Sequence, residues 1–258
     1  MRNKATEGFT LAELLVVVAV LALLAALLLP VLRIAGAKAR RLTCVSNVRQ
    51  LSLGVRMYCD DSHDASPSAG PAGLPGNKMD SLYSGYKALM KSYVGLNSAS
   101  SPRDKVFACP TDVLNINYLF SNPPPTLPLR LVKQCCHDSS EFDYSSYAFN
   151  GGDNVTRHFA EGTLTVPGLT GVKLTSVRRP DRTVLLAEIA ALAPYSWHDP
   201  SSHGVAQYDK RWPMYNDSKN VVSFVDGHVG YIKMYYEHPV AACLTNPPES
   251  YGYQWTPD

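Results

Sequence analysis

The chain has 258 residues and a formal net charge of +2, which suits one soluble domain plus a tether, or two small domains. So small a charge gives no global electrostatic case for nucleic acid or an anionic surface, and no nucleic-acid partner is expected. Plentiful Pro (19), Gly (17) and Tyr (15) favour a loop-rich, strand-containing head over a helical bundle, and no internal repeat is present.

The first element is apolar. Phe9 to Leu32 contains one charge, Glu13, and one proline, Pro30. As a helix this run is about 36 Å long, enough to span a hydrocarbon core of roughly 30 Å. A cleaved secretory signal fits poorly. The charged start exists (Arg2, Lys4), but the apolar stretch is too long and no small-x-small site follows it closely. A plain anchor leaves Glu13 unexplained, because a carboxylate in a bilayer segment costs about 2.5–3.5 kcal/mol even on the lenient scale.

Gly8-Phe9-Thr10-Leu11-Ala12-Glu13 resembles the class III signal of type IV pilins and pseudopilins. The resemblance implies a prepilin peptidase that cuts after Gly8 on the cytoplasmic face and methylates Phe9. It implies that Glu13 pairs with the terminal ammonium of a neighbouring subunit, removing two uncompensated charges and fixing axial register. Other pilin or pseudopilin subunits and an inner-membrane assembly platform are the implied partners. Pro30 matches a common pilin proline. It either kinks the helix near the membrane exit or marks where the helix melts on assembly. The implied localisation is single-pass in the inner membrane, with the N-terminus cytoplasmic and the head in the periplasm or at the cell surface. Arg33, Lys38, Arg40 and Arg41 oppose that topology, since by the positive-inside rule they outweigh Arg2 and Lys4.

Helical spacing continues to about Asp60. Cys44, Val48, Leu51, Val55 and Tyr58 recur at intervals of 4, 3, 4 and 3, one apolar stripe for the chain's own sheet. The segment from Cys44 to Leu51 resembles a bacterial pilin-like subgroup with a C-x-x-N-x-R-Q run and pseudopilin-like heads. The expected organisation is a leader at 1–8, a transmembrane and assembly helix at 9–32, its amphipathic continuation at 33–60 and a head at 61–258. The fold class is α+β: a long N-terminal helix packed on an antiparallel sheet.

In the head, Ser62–Gly76 reads as a loop and Met79–Tyr93 has helical spacing. Val106–Asp112 reads as a short strand running into a turn, and Asn122–Pro128 as a proline-rich loop. Tyr144–Asn150 is a strand ending at Gly151-Gly152. Val172–Val177 and Thr183–Glu188 flank the turn Arg179-Pro180-Asp181. The clearest hairpin is Asn220–Lys233, turning at Asp226-Gly227, where both positions are expected to take φ > 0. It resembles the D-G-H-V hairpin of the same subgroup. Where some relatives carry a His ten positions before the Asp, this chain has Asn216, so no role of that His transfers.

Six cysteines (Cys44, Cys59, Cys109, Cys135, Cys136, Cys243) allow 15 full pairings. Cys44 and Cys109 both lie in family-like motifs, so the resemblance favours that disulfide. No C-x-x-C occurs, which argues against a cysteine zinc site. Potential ligands gather late in the chain: Glu188, His198, Asp199, His203, Asp209, Asp226, His228 and His238. One reading has Glu188, His198 and Asp226 converge on Ca²⁺ or Zn²⁺. The other gives Asp226 to the turn, His228 to the surface and Glu188 to backbone hydrogen bonds. No G-x-S-x-G, H-E-x-x-H, phosphate loop or dinucleotide fingerprint is present, and Asp60-Asp61 reads as a solvated helix end, so no enzyme is expected. Two functions follow: a structural subunit of a type II secretion pseudopilus or type IV pilus-like filament, or a tethered surface protein whose head binds a glycan or other polymer. The tyrosines with Trp197, Trp212 and Trp255 would supply the stacking surface of the second.

Overall fold

A computed structural model describes residues 10–68, 82–97, 104–112, 145–151, 153–159, 162–166, 168–192, 196–199, 205–209, 212–215, 217–235 and 246–258. The chain divides into two units, residues 1–40 and 41–258. The helix α1 (Leu11–Asp61) begins in the first and ends in the second.

In the first unit α1 is apolar on every side. Leu11, Leu14, Leu15, Val16 and the large apolar residues onward to Ile34 are exposed. Among the described residues this helix is long and apolar enough to cross a membrane. It runs through Pro30 without interruption, although proline there leaves the Ala26 carbonyl without its helical N–H donor.

In the second unit the same helix is amphipathic. Cys44, Val48, Leu51 and Val55 are buried, as one stripe of 3- and 4-residue steps requires. Tyr58 is half-buried, and Cys59 takes the last core position. Polar contacts anchor this half of α1. Asn47 Nδ2 donates to the carbonyls of Lys105 (3.3 Å) and Ala108 (3.2 Å) and to the Tyr147 hydroxyl (3.3 Å). The Arg41 guanidinium lies 4.6 Å from the centre of the Tyr231 ring, so one cation of the basic cluster is held by the head.

The sheet has four antiparallel strands in the order β1-β4-β7-β8. They are β1 (Tyr147–Phe149), β4 (Val184–Glu188), β7 (Ser218–Phe224) and β8 (Val229–Met234). β4 is buried at all five positions, as its unbroken Val-Leu-Leu-Ala run permits. Two separate hairpins complete the strands: β2 (Asp153–Phe159) with β3 (Gly162–Val166), and β5 (Val205–Asp209) with β6 (Trp212–Tyr215). A short helix, α2 (Leu82–Met90), places Tyr86 against Phe149 of β1, ring centres 6.1 Å apart. The result is α+β: a long N-terminal helix and an antiparallel sheet, as the pilin resemblance implies.

Two expectations need correction. Val106–Asp112 is not a strand. It opens with a 3₁₀ turn over Lys105–Phe107 that buries Phe107, and Cys109 N–H bonds the Ser146 hydroxyl (2.9 Å) instead of a neighbouring strand. Val172–Val177 flanks the turn at Arg179-Pro180-Asp181 as expected and holds a 3₁₀ turn over Leu174–Ser176, tied to the helix end where Thr175 N–H donates to the Asp64 carboxylate (3.1 Å). The Thr175 hydroxyl, and after it that N–H bond, hold the Asp64 carboxyl below the usual carboxylate range. At the hairpin only Gly227 has positive φ (97°), because the loop has three residues. Phe224 N–H bonds His228 O (3.0 Å) and Gly227 N–H bonds Phe224 O (2.9 Å), a type I turn closed by a left-handed glycine. Gly227 has a second reason to lack a side chain: a Cβ there would stand 2.9 Å from the Arg56 guanidinium, which donates to Asp226 O (3.1 Å).

Cys59 is a free thiol in the core. Burial pushes its pKa up to about 12, with Asp64 and Asp60 adding to the effect. The thiolate is the reactive form, so alkylation at neutral pH is expected to spare Cys59 in the folded protein and label it in denaturant. Peptide mapping checks this; equal labelling in both states refutes it.

Candidate functional site

Two constellations stand out. The first is the start of α1. Gly8 and Phe9 lie outside the described residues, but Thr10 and Glu13 do not. Glu13 N–H donates to Thr10 Oγ1 (3.3 Å), while Thr10 N–H (2.9 Å) and its hydroxyl (2.8 Å) donate to Glu13 Oε2. This reciprocal pattern is a capping box, legible in the sequence as Thr-x-x-Glu but not singled out there. It satisfies two backbone donors that a helix end in hydrocarbon leaves bare. It also holds the carboxylate at the positive end of the helix dipole.

The second constellation is buried in the head, where four segments converge. Cys44 of α1 and Cys109 of the loop before β1 form a disulfide with Cα atoms 5.5 Å apart. Glu188, the last residue of β4, and His198 lie against it. Their side chains are 0% and 2% exposed, and His198 Nε2 is 2.8 Å from Glu188 Oε1. Cys109 Sγ is 3.5 Å from Glu188 Oε1 and 3.8 Å from His198 Nε2. Each of the other polar atoms is held. Val221 N–H of β7 donates to Glu188 Oε2 (2.9 Å), and Thr111 Oγ1 is 3.1 Å from His198 Nδ1. A buried carboxylate is costly unless it is paired and hydrogen-bonded, and Glu188 meets both conditions.

Of the three ligands read from the sequence, Glu188 and His198 meet and Asp226 does not. Asp226 sits in the β7–β8 turn, and its Oδ1 is 2.7 Å from Nδ1 of the exposed His228. Glu188 is anchored at Val221, and three further strand residues, about 10 Å of extended chain, lead from there to the turn that holds Asp226. What the sequence reading missed is that Cys44 and Cys109 complete the group: the four ligand atoms lie within 4.8 Å of one another. The side chains of His203, Asp209 and His238, and Cys135, Cys136 and Cys243, lie outside the description. Residues on both sides of Pro30 are helical.

Two of the three tryptophans are withdrawn from any stacking surface. Trp197 and Trp255 are buried in the core, and the Trp212 side chain lies outside the described residues.

Residues 3–29 match the prokaryotic N-terminal methylation motif. Neither a curated protein nor a solved structure matches the chain. The motif marks a structural precursor type rather than an enzyme class, and it implies processing by a prepilin peptidase and assembly with other pilin subunits. The matched segment overlaps the start of α1, which among the described residues is the helix long and apolar enough to cross a membrane, and it supports a type IV pilin-like class III signal at this end of the chain.

Proposed function

We propose that this chain is a structural pilin-like subunit, cut between Gly8 and Phe9, methylated on Phe9, and assembled through α1 into a type II secretion pseudopilus or type IV pilus-like filament. The observation that carries the proposal is the methylation motif at residues 3–29 with Glu13 as the one charge between Phe9 and Leu32. The N-terminus is cytoplasmic, the head lies in the periplasm or at the cell surface, and an inner-membrane platform drives assembly. In one chain Thr10 satisfies the Glu13 carboxylate. In a filament the ammonium of a neighbour's Phe9 becomes its counter-charge, so the same residue is tolerable alone and better satisfied on assembly.

Mass spectrometry of the mature protein is expected to find N-methyl-Phe9 as the first residue. Retention of Met1 in cells with an active prepilin peptidase sinks the proposal. Glu13→Ala is expected to leave membrane insertion intact and to remove the subunit from sheared filaments. Losing one partner of a buried pair costs about 3–5 kcal/mol, which takes incorporation below detection by immunoblot. Normal incorporation of the variant would remove the charge-pairing argument.

A further inference from the structure

We propose that the Cys44–Cys109 disulfide and the Glu188–His198 pair are two states of one site: on reduction, both thiolates, Glu188 Oε1 and His198 Nε2 bind a single Zn²⁺. The proposal rests on the distances, not on sequence spacing. With Zn–S near 2.3 Å and Zn–N or Zn–O near 2.0–2.1 Å, a tetrahedral site has sulfur-to-nitrogen and sulfur-to-oxygen edges of about 3.5 Å. Cys109 Sγ already stands 3.5 Å from Glu188 Oε1 and 3.8 Å from His198 Nε2. All four ligand atoms lie within 4.8 Å of one another. The two sulfurs, now bonded, have to separate, and the Glu188 Oε1 to His198 Nε2 distance has to open from 2.8 Å to about 3.3 Å.

The surroundings suit such a site. A zinc-bound histidine needs its other ring nitrogen held, and a bound carboxylate its other oxygen. Thr111 Oγ1 does the first at 3.1 Å and Val221 N–H the second at 2.9 Å. Two sulfurs and an imidazole select zinc over calcium, which takes oxygen ligands. The chemistry balances with a dithiol as reductant. The dithiol becomes a disulfide, and the Cys44–Cys109 bond becomes two thiols. Metal binding then expels the two thiol protons. The proton shared by His198 and Glu188 leaves Nε2, for Nδ1 or for solvent. Either form ties α1 to the loop carrying Cys109: the oxidised form by a covalent bond, the reduced form through the metal.

The test uses the full chain in detergent. It is reduced with a dithiol, freed of the dithiol without air, and titrated with Co²⁺ as a spectroscopic probe. One equivalent is expected to bind, with sulfur-to-cobalt charge-transfer absorption and the intense visible bands of a tetrahedral site. Zn²⁺ is expected to bleach both, and the untreated disulfide form to stay silent. Thr111→Val is expected to lower affinity about 10–100-fold by freeing the imidazole. Asp226→Asn is expected to change nothing. Cys44→Ala needs no reductant and keeps three ligands, so it is expected to bind Co²⁺ more weakly with a one-sulfur band. The proposal is overturned if both reduced wild type and Cys44→Ala lack thiolate bands while Cys44→Ala keeps its native circular dichroism. It is equally overturned if the bands persist in the Cys44→Ala/Cys109→Ala double variant, because the sulfurs would then come from the other four cysteines.

Discussion

Replacing both Cys44 and Cys109 with alanine is expected to lower the stability of the folded head by about 4 kcal/mol, read from denaturant unfolding of the full chain in detergent. The bond joins positions 65 apart in sequence. A cross-link of that span removes about 4 kcal/mol of loop-closure entropy from the unfolded chain. Packing changes little, because alanine keeps the apolar character of both core positions and removes only two sulfur atoms from each other's company. The effect should therefore appear as a lower midpoint together with a steeper dependence on denaturant, since the unlinked unfolded chain exposes more surface. An unchanged midpoint would mean that the contacts of Asn47 with Lys105, Ala108 and Tyr147 already fix α1 against this loop and that the bond adds nothing.

Local patterns were legible in the sequence and convergent ones were not, for a physical reason. The buried stripe of α1 shows at Cys44, Val48, Leu51 and Val55 because helical periodicity lies within a few turns of one segment. The β7–β8 hairpin shows because Asp226-Gly227 is a local turn signal, although loop length rather than the dipeptide decided which residue takes positive φ. Val106–Asp112 misled because burial of Phe107 is a tertiary fact: the apolar residue is inside, but its backbone bonds lead to Asp104 and Ser146 and not to a strand. The cluster is the extreme case. Glu188 and His198 were readable as candidate ligands, but their company depends on β4 lying between β1 and β7 and on α1 reaching Cys109. Nothing in the spacing of Cys44 and Cys109 announces that. The absence of a C-x-x-C pair removed the short-range signal while the fold supplied the same pair of sulfurs at long range.

A second convergence gives the other large effect. Asp104→Asn is expected to destabilise the head by about 3–5 kcal/mol, or to lower its melting temperature by roughly 10 °C. The Asp104 carboxylate is 2.7 Å from Lys91 Nζ and 3.6 Å from Lys87 Nζ, and the two lysine side chains are only 7% and 1% exposed. Both ammonium groups are buried within reach of this carboxylate, and Lys87 also lies 5.4 Å from the centre of the Phe107 ring. Asparagine keeps the shape and removes the charge, so both buried lysines lose this carboxylate's share of the attraction that offsets their desolvation. Salt should rescue little, because buried pairs are weakly screened. Adding Lys87→Met and Lys91→Met to the Asp104→Asn background is expected to recover most of the loss, since apolar chains of similar length need no counter-charge. A triple variant no more stable than Asp104→Asn alone would place the cost in lost hydrogen bonds to Asp104 rather than in stranded charge.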